Sequence, residues 1–170
     1  MISSERPLQA CAVTPLLVLG WGNPSRGDDA LGPLFVERLR AELGGAQVEW
    51  LTDFQLQPEH ALDLMGRARV LFVDASANCD RPFAVTPVRA ARDASFTTHA
   101  MSPAAVLQVL CDMGGGAPPL CTLLAIRGER FDLGDGLTVA ATVTLAQALL
   151  WGRDWLTAVA GTQQTIDCQP

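Results

Sequence analysis

The sequence predicts an α/β fold, a three-layer sandwich in which a mostly parallel twisted sheet of about five strands carries helices on both faces. Short, continuous apolar runs are typical of buried parallel strands, and they alternate here with segments of helical apolar spacing. Two of these runs also end at a carboxylate, and no linker or internal repeat interrupts the order. Strands joined by helices in this way form βαβ units. The buried strands are predicted at Leu16–Leu19, Arg69–Ala75 and Leu120–Ile126.

The remaining elements follow from helix caps, prolines and glycines. A first helix is predicted from the spacing of Leu34, Phe35, Leu39 and Leu43, and Gly44-Gly45 ends it. Pro87 makes the run from Phe83 to Arg89 an edge strand at best. Ser102 is expected to cap a helix whose first position is Pro103. The other predicted elements are a strand at Ala46–Thr52, a helix starting at Pro58 and running through Leu64, and a long helix at Thr138–Leu156.

Length and composition indicate one globular domain. The 170 residues are 49% apolar and 18% charged, enough for one core and too few residues for two comfortable domains. We therefore expect a single domain spanning residues 1–170, with 1–14 and 161–170 as flexible tails. The longest apolar runs are far below the ~20 residues of a membrane span.

The charge and the cysteines restrict the partners and the compartment. The net charge is −6 and all twelve cationic residues are arginines, without a basic stripe, so nucleic acid and anionic membrane are poor partners. A metal ion or a partner that carries cations is electrostatically more natural. Five cysteines without a C-x-x-C pair indicate a reduced, cytoplasmic chain without a disulfide framework. We expect it to be a monomer.

One stretch, Leu16–Leu39, joins the first strand to the first helix through glycines and acids. Its distinctive residues are Gly20, Gly22, Asn23, Asp28, Asp29 and Gly32. A dinucleotide site is disfavoured because Ser25 replaces the third glycine of G-x-G-x-x-G, and because two acids would repel a pyrophosphate. A Walker A loop is excluded because the chain has no lysine. Trp21, between two glycines, is expected at the mouth of a cleft.

Three residues that are distant in the sequence are predicted at the carboxyl edge of the sheet. Asp29 follows the first strand, Asp74 ends the third, and His99 precedes the next helix. Ligands bind at this edge in open α/β sheets. Two carboxylates and an imidazole can occupy three positions around a divalent first-row metal and leave the others open.

Each of these residues also has a structural interpretation. For one acid of the adjacent pair we favour a helix-capping role, and we assign that role to Asp28. Asp74 could bind a neighbouring turn, and His99 could brace the helix at Ser102. His60 is expected at the surface or in an interface, and Cys79 with His99 is an alternative nucleophile pair that no nearby feature supports. H-E-x-x-H and G-x-S-x-G are both absent.

The pattern of Gly-x-Gly-Asn, a short loop and Asp-Asp-x-x-Gly resembles the [NiFe]-hydrogenase maturation endopeptidases, and the order of elements agrees over nearly all of 16–156. The resemblance implies that Asp29, Asp74 and His99 bind nickel and carry the catalysis. It also implies that the nickel arrives in the large-subunit precursor of a hydrogenase, is not permanently bound, and guides removal of a C-terminal peptide. A non-catalytic nucleotide- or metal-binding α/β module is the alternative.

The loop after the second strand departs from the glycine-rich Asp-Gly-Gly-Thr type turn of many members. It reads Asp53-Phe54-Gln55-Leu56-Gln57, followed by Pro58, Glu59 and His60. This version looks like the branch that serves cytoplasmic, NAD-linked bidirectional hydrogenases. We therefore interpret Asp53, Phe54, Gln55 and His60 as an element that selects the precursor.

Overall fold

The computed structural model describes residues 13–93 and 101–163, which form five strands and four helices. A single 3-10 turn at Gly27–Ala30 precedes the first helix. The strands are β1 (Leu16–Trp21), β2 (Val48–Asp53), β3 (Arg69–Ser76), β4 (Phe83–Val88) and β5 (Leu120–Arg127). The helices are α1 (Leu31–Leu43), α2 (His60–Asp63), α3 (Pro103–Asp112) and α4 (Val139–Gln163).

The sheet has the order β2-β1-β3-β5-β4, which confirms the predicted fold class. Strands β2, β1, β3 and β5 run parallel, and only β4 is antiparallel to its neighbour β5. The chain passes from β1 to β2 on one side and then to β3 on the other. The strand order therefore reverses between β1 and β3, and such a switch point opens a crevice at the carboxyl ends of the strands.

The core lies on both faces of the sheet, because alternate residues of a strand point to opposite sides. Leu16 and Val18 pack with α1 and α4, whereas Leu17 and Leu19 pack with α2 and α3. All four side chains are fully buried. This division accounts for the continuous apolar runs, since both faces of the parallel strands are covered.

Several element boundaries differ from the predicted ones, mostly at the ends. The helix expected from Pro58 to Leu64 is only the single turn α2, and α4 continues through Gln163, into the segment predicted as a tail. The predicted cap of α3 is confirmed, since Ser102 Oγ accepts a hydrogen bond from Ala105 N–H at 3.1 Å. The edge position of the strand with Pro87 is confirmed as well.

Part of the predicted organisation lies outside the described residues. This applies to 1–12 and 164–170, most of the predicted tails, and to 94–100, which contain His99. Within the described ranges, none of the helices combines the length and the apolar character that crossing a membrane requires.

Candidate active site

The two acids predicted from the sequence follow the two strands that flank the switch point. Asp29 lies in the 3-10 turn after β1, and Asp74 is the sixth residue of β3. Because β1 and β3 are parallel neighbours, their carboxyl ends share one edge of the sheet. The structure therefore brings Asp29 and Asp74 to the crevice where α/β folds bind ligands.

Glycines allow α1 to begin directly against these strand ends. A Cβ atom at Gly32 would lie 2.4 Å from the carbonyl oxygen of Trp21 and 2.7 Å from that of Val73. Any larger residue would push the start of the helix away from both β1 and β3. The Asp-Asp-x-x-Gly spacing thus places the acids beside the strands.

Gly22 brings the backbone equally close to Asp29. Its φ is +141°, and a Cβ there would lie 2.0 Å from the carbonyl oxygen of Asp29. On the same side, Asn23 N–H donates a 2.8 Å hydrogen bond to Asp29 Oδ2. Among the described residues no donor is bonded to Oδ1, so this half-buried carboxylate keeps lone pairs available for a ligand.

Asp74 is the acid whose protonation the site perturbs most. Burial raises the pKa of Asp74, and the negative charge of Asp29 raises it further. A hydrogen bond from Ala75 N–H opposes the rise, and the resulting pKa is about 7. The contribution of Asp29 means that the two carboxylates are near enough for their charges to repel each other. A divalent cation between them would relieve this repulsion.

Asp28, the other acid of the pair, is completely buried, with 0% of its surface exposed. Its Oδ2 accepts hydrogen bonds from Glu129 N–H (2.8 Å), Arg130 N–H (3.1 Å) and Thr138 Oγ–H (2.9 Å). Its Oδ1 accepts one from Thr138 N–H (2.7 Å). Burial alone would raise the pKa of Asp28, but these four hydrogen bonds outweigh it and hold the pKa below its usual value.

The prediction that Asp28 caps the first helix is wrong, although its structural role is real. The residue before α1 is Ala30, and α1 has no side-chain cap. Asp28 instead holds Thr138, whose Oγ accepts a hydrogen bond from Ala141 N–H at 3.0 Å in the first turn of α4. Asp28 therefore joins the site loop to a helix 110 residues further along the chain.

The loop 128–138 contributes to the site although no motif in the sequence predicts it there. It contacts the site loop at several further points, since Gly27 N–H donates to the carbonyl of Asp135 and Gly134 N–H to that of Ser25. The one available signal was its position after a buried strand, at the same sheet edge as Asp74. Local secondary-structure propensity does not predict that these two loops contact each other.

The predicted selectivity loop lies on the other side of the site, after β2. Asp53, Phe54 and Gly22 line a cavity of about 330 Å³, and both Phe54 and Gln55 are exposed. Gly22 N–H also donates a 3.0 Å hydrogen bond to the carbonyl of Asp53, which continues the β1–β2 pairing into the loop. The cavity thus shares Gly22 with the surroundings of Asp29.

His60 and Trp21 are both buried, contrary to prediction. His60 Nδ1 accepts a 2.9 Å hydrogen bond from Gln57 N–H, and its Nε2 lies 3.3 Å from Asp53 Oδ2. The imidazole therefore braces the selectivity loop from inside and does not form part of an open surface. Trp21 packs edge-on against Phe72, with ring centroids 6.1 Å apart, in the core and not at a cleft mouth.

The third predicted ligand, His99, lies outside the described residues, so the predicted Asp29–Asp74–His99 set stays a prediction. Within the residues that the structure describes, no group of three His, Cys, Asp or Glu side chains is arranged to hold a metal ion. Cys79, the alternative nucleophile, is a partly exposed free thiol. Its proposed pairing with His99 also stays untested.

Several solved structures that this chain resembles are [NiFe]-hydrogenase maturation proteases, so the chain is an α/β protein with the maturation-protease fold. The HybD hydrogenase-maturating endopeptidase from E. coli has 25% identity and a TM-score of 0.64, with 86% of this chain and 93% of that chain covered. The HycI maturation protease from Thermococcus kodakarensis KOD1 has 21% identity and a TM-score of 0.66, over 85% and 93%. An endopeptidase from E. coli has 25% identity and a TM-score of 0.61, over 80% and 88%. Neither a protein-family model nor a curated protein sequence matches the chain.

Proposed function

We propose that this chain is a maturation endopeptidase that removes a C-terminal peptide from the large-subunit precursor of a [NiFe]-hydrogenase. The observation that carries the proposal is the pairing of Asp29 and Asp74 across the switch point of a maturation-protease fold. One acid keeps free lone pairs, and the other is destabilised by its neighbour's charge. Such a pair is chemically suited to accept a cation that another molecule delivers.

In this proposal Asp29, Asp74 and His99 ligate nickel that is already bound in the precursor. Binding through the substrate's own metal fixes the scissile bond beside the carboxylates, which supplies orientation. The nickel, or an acid next to it, then polarises the carbonyl or a water for hydrolysis. Neither acid needs to hold a permanent metal, because the ion leaves with the product.

Asp53 and Phe54, which line the cavity at Gly22, and the exposed neighbouring Gln55 are proposed to select the precursor. The brace from His60 to Asp53 and Gln57 would keep the loop in one conformation. The likeness of this loop to the branch serving NAD-linked bidirectional hydrogenases makes such a cytoplasmic precursor the first substrate to test.

The direct test is to incubate the chain with nickel-loaded and nickel-free precursor and to measure the intact mass of the precursor. We expect a loss of mass at the C-terminus only with the nickel-loaded form. Asp29→Asn and Asp74→Asn should each slow processing by at least about 100-fold, the usual scale for a group acting at the reacting atoms. Asp132→Asn, the same charge change in an exposed acid of the loop 128–138, is the matched control and should process normally.

Two outcomes would contradict the proposal. Unchanged processing by both Asp29→Asn and Asp74→Asn would remove the acids from the chemistry. Binding of the precursor without any cleavage would support the non-catalytic module instead. An active Cys79→Ser variant would exclude the cysteine nucleophile.

A further inference from the structure

The outer face of α4 carries exposed apolar side chains, and its exposed polar residues up to Gly152, Thr142 and Gln147, are uncharged. A helix on the surface of a globular protein normally turns charged and polar side chains to water. From Val139 to Gly152, however, α4 carries no charged residue. Val139, Val143 and Leu150, at helical spacing, are all among the exposed large hydrophobic side chains. We refer to Val139, Val143 and Leu150 as the α4 stripe.

A groove lies at the amino-terminal end of the α4 stripe. It has a volume of about 320 Å³ and is lined by Pro82, Arg127, Glu129, Ala140, Val143 and Thr144. Its polar wall is an ion pair, with Arg127 Nη2 lying 3.6 Å from Glu129 Oε1. Its floor is held in place by Thr144 Oγ–H, which donates a 3.0 Å hydrogen bond to the carbonyl of Arg127. The groove offers an apolar surface with one internally neutralised pair of charges.

The groove lies at the same edge of the sheet as the candidate active site. Arg127 is the last residue of β5, and β5 is the parallel neighbour of β3, which ends near Asp74. The backbone N–H of Glu129, in the groove wall, donates to Asp28, the residue next to Asp29. The groove and the candidate active site are therefore connected through the loop 128–138 at one edge of the sheet.

The area and the charge of this face disfavour a second copy of the chain as its occupant. The α4 stripe spans twelve residues, from Val139 to Leu150, which is about 17 Å along a helix about 10 Å wide. A patch of these dimensions covers far less than the roughly 800 Å² per partner that a stable interface needs. Two copies would also each bring a net charge of −6 to an uncharged contact. The face is large enough only as one part of a wider contact.

We propose that the α4 stripe and its groove dock the folded body of the precursor protein while the precursor's tail enters the active site. This proposal rests on the proposed function. The chemistry identifies the contacting surface of the precursor as uncharged and apolar, with one apolar side chain filling the groove. The contact at the α4 stripe and the contact in the active site together provide the area that the stripe alone lacks. The hydrogen bond from Glu129 N–H to Asp28 connects these two binding regions.

The test is a double substitution, Val143→Glu with Leu150→Glu, measured with nickel-free precursor, which is expected to bind through the docking surface without being cleaved. The matched control is Leu43→Glu with Met113→Glu. These residues are 47% and 54% exposed, against 54% and 57% for Val143 and Leu150, but lie at the ends of α1 and α3. We expect the Kd for nickel-free precursor to rise at least about tenfold for the first pair. The control pair should stay within about twofold.

With nickel-loaded precursor, which is cleaved, the same α4 pair should raise KM and leave kcat at saturation unchanged. Equal Kd values for the two pairs would overturn the docking proposal, whereas cleavage by the unmodified chain separately tests the proposed function. A dimer in sedimentation that the α4 pair dissociates would assign the face to a second copy and overturn the proposal. A melting temperature lowered much more by the α4 pair than by the control pair would assign the face to the chain's own packing, with the same consequence.

Discussion

Two adjacent acids, Asp28 and Asp29, have the same side chain and the same 3-10 turn but opposite surroundings. Asp28 is wholly buried, and all of its bonds are to the protein's own N–H and O–H groups. Asp29 has one such bond among the described residues, from Asn23 N–H, and its charge contributes to the raised pKa of Asp74. The difference teaches that a carboxylate saturated by donors serves the fold, whereas one with free lone pairs is available to a ligand.

A similar contrast holds between the protonation of Asp28, which is buried, and that of Asp74, which is partly buried. The hydrogen bonds to Asp28 favour its charged form and lower its pKa, whereas Asp74 lacks comparable compensation and its pKa rises to about 7. Asp28 is thus stable as an anion without any partner from outside. Asp74 at neutral pH is poised between its two forms, and a bound cation would favour the anion.

The largest effect on stability is expected for Asp28→Ala. The substitution removes the acceptor of the N–H groups of Glu129, Arg130 and the buried Thr138, so we expect the free energy of unfolding to fall by about 3–5 kcal/mol. Urea denaturation measures the change. Asp132→Ala, in the same loop system but exposed, should cost less than about 0.5 kcal/mol. A loss below about 1 kcal/mol for Asp28→Ala would contradict its role as the brace of the site.

The next effect concerns the backbone that approaches Asp29. Gly22→Ala places a Cβ 2.0 Å from the carbonyl of Asp29 at a φ of +141°, so we expect a loss of about 2–4 kcal/mol together with slower precursor processing. Gly44→Ala is the control, because Gly44 also has positive φ (+72°) but no atom within 4 Å of the added Cβ. It should cost about 1 kcal/mol and leave processing unchanged. Equal losses of stability at both positions would show that the positive φ accounts for the whole effect and that the close approach to Asp29 does not contribute.

A pH-dependent effect is expected for Asp74→Asn. The folded protein favours protonated Asp74, so this contribution to stability is fully present below pH 4 and is lost as the pH rises through about 7. Asparagine does not ionise, so the free energy of unfolding of the variant should exceed that of the unmodified chain by about 2 kcal/mol at pH 8. This figure takes into account that Asp74 is partly exposed to water. The difference should vanish near pH 4. Urea titrations at both pH values test this, and a constant difference would refute it.

The smallest effect is expected for Thr138→Ala. It removes one of the donors to Asp28 and the hydroxyl that accepts from Ala141 N–H, so a loss of about 1–2 kcal/mol is expected. Thr142→Ala, which removes a hydroxyl bonded only to the carbonyl of Thr138, should cost less. If thermal unfolding ranked the two variants in the reverse order, the link between Asp28 and α4 would be energetically unimportant.

Predictions from local pattern succeeded where neighbours in sequence decide the outcome. The continuous apolar run of β3, the Ser102-Pro103 start of α3 and the edge position forced by Pro87 all depend on residues within one element. The predicted length of α2 was wrong because a proline and apolar spacing do not reveal that only the four residues His60–Asp63 are α-helical. The burial of His60 was missed for a related reason, since its partners belong to a loop whose path depends on β2.

The sequence by itself determined the order of strands and helices, the glycines that allow close approach, and the position of Asp29 and Asp74 at the ends of strands. These depend on apolar periodicity and on backbone freedom, which are local properties. Only the tertiary structure decided which acid of the pair is structural, because the donors that saturate Asp28 come from residues more than 100 positions away. Hydrogen bonds between distant segments exist only once the sheet has brought its carboxyl edge together.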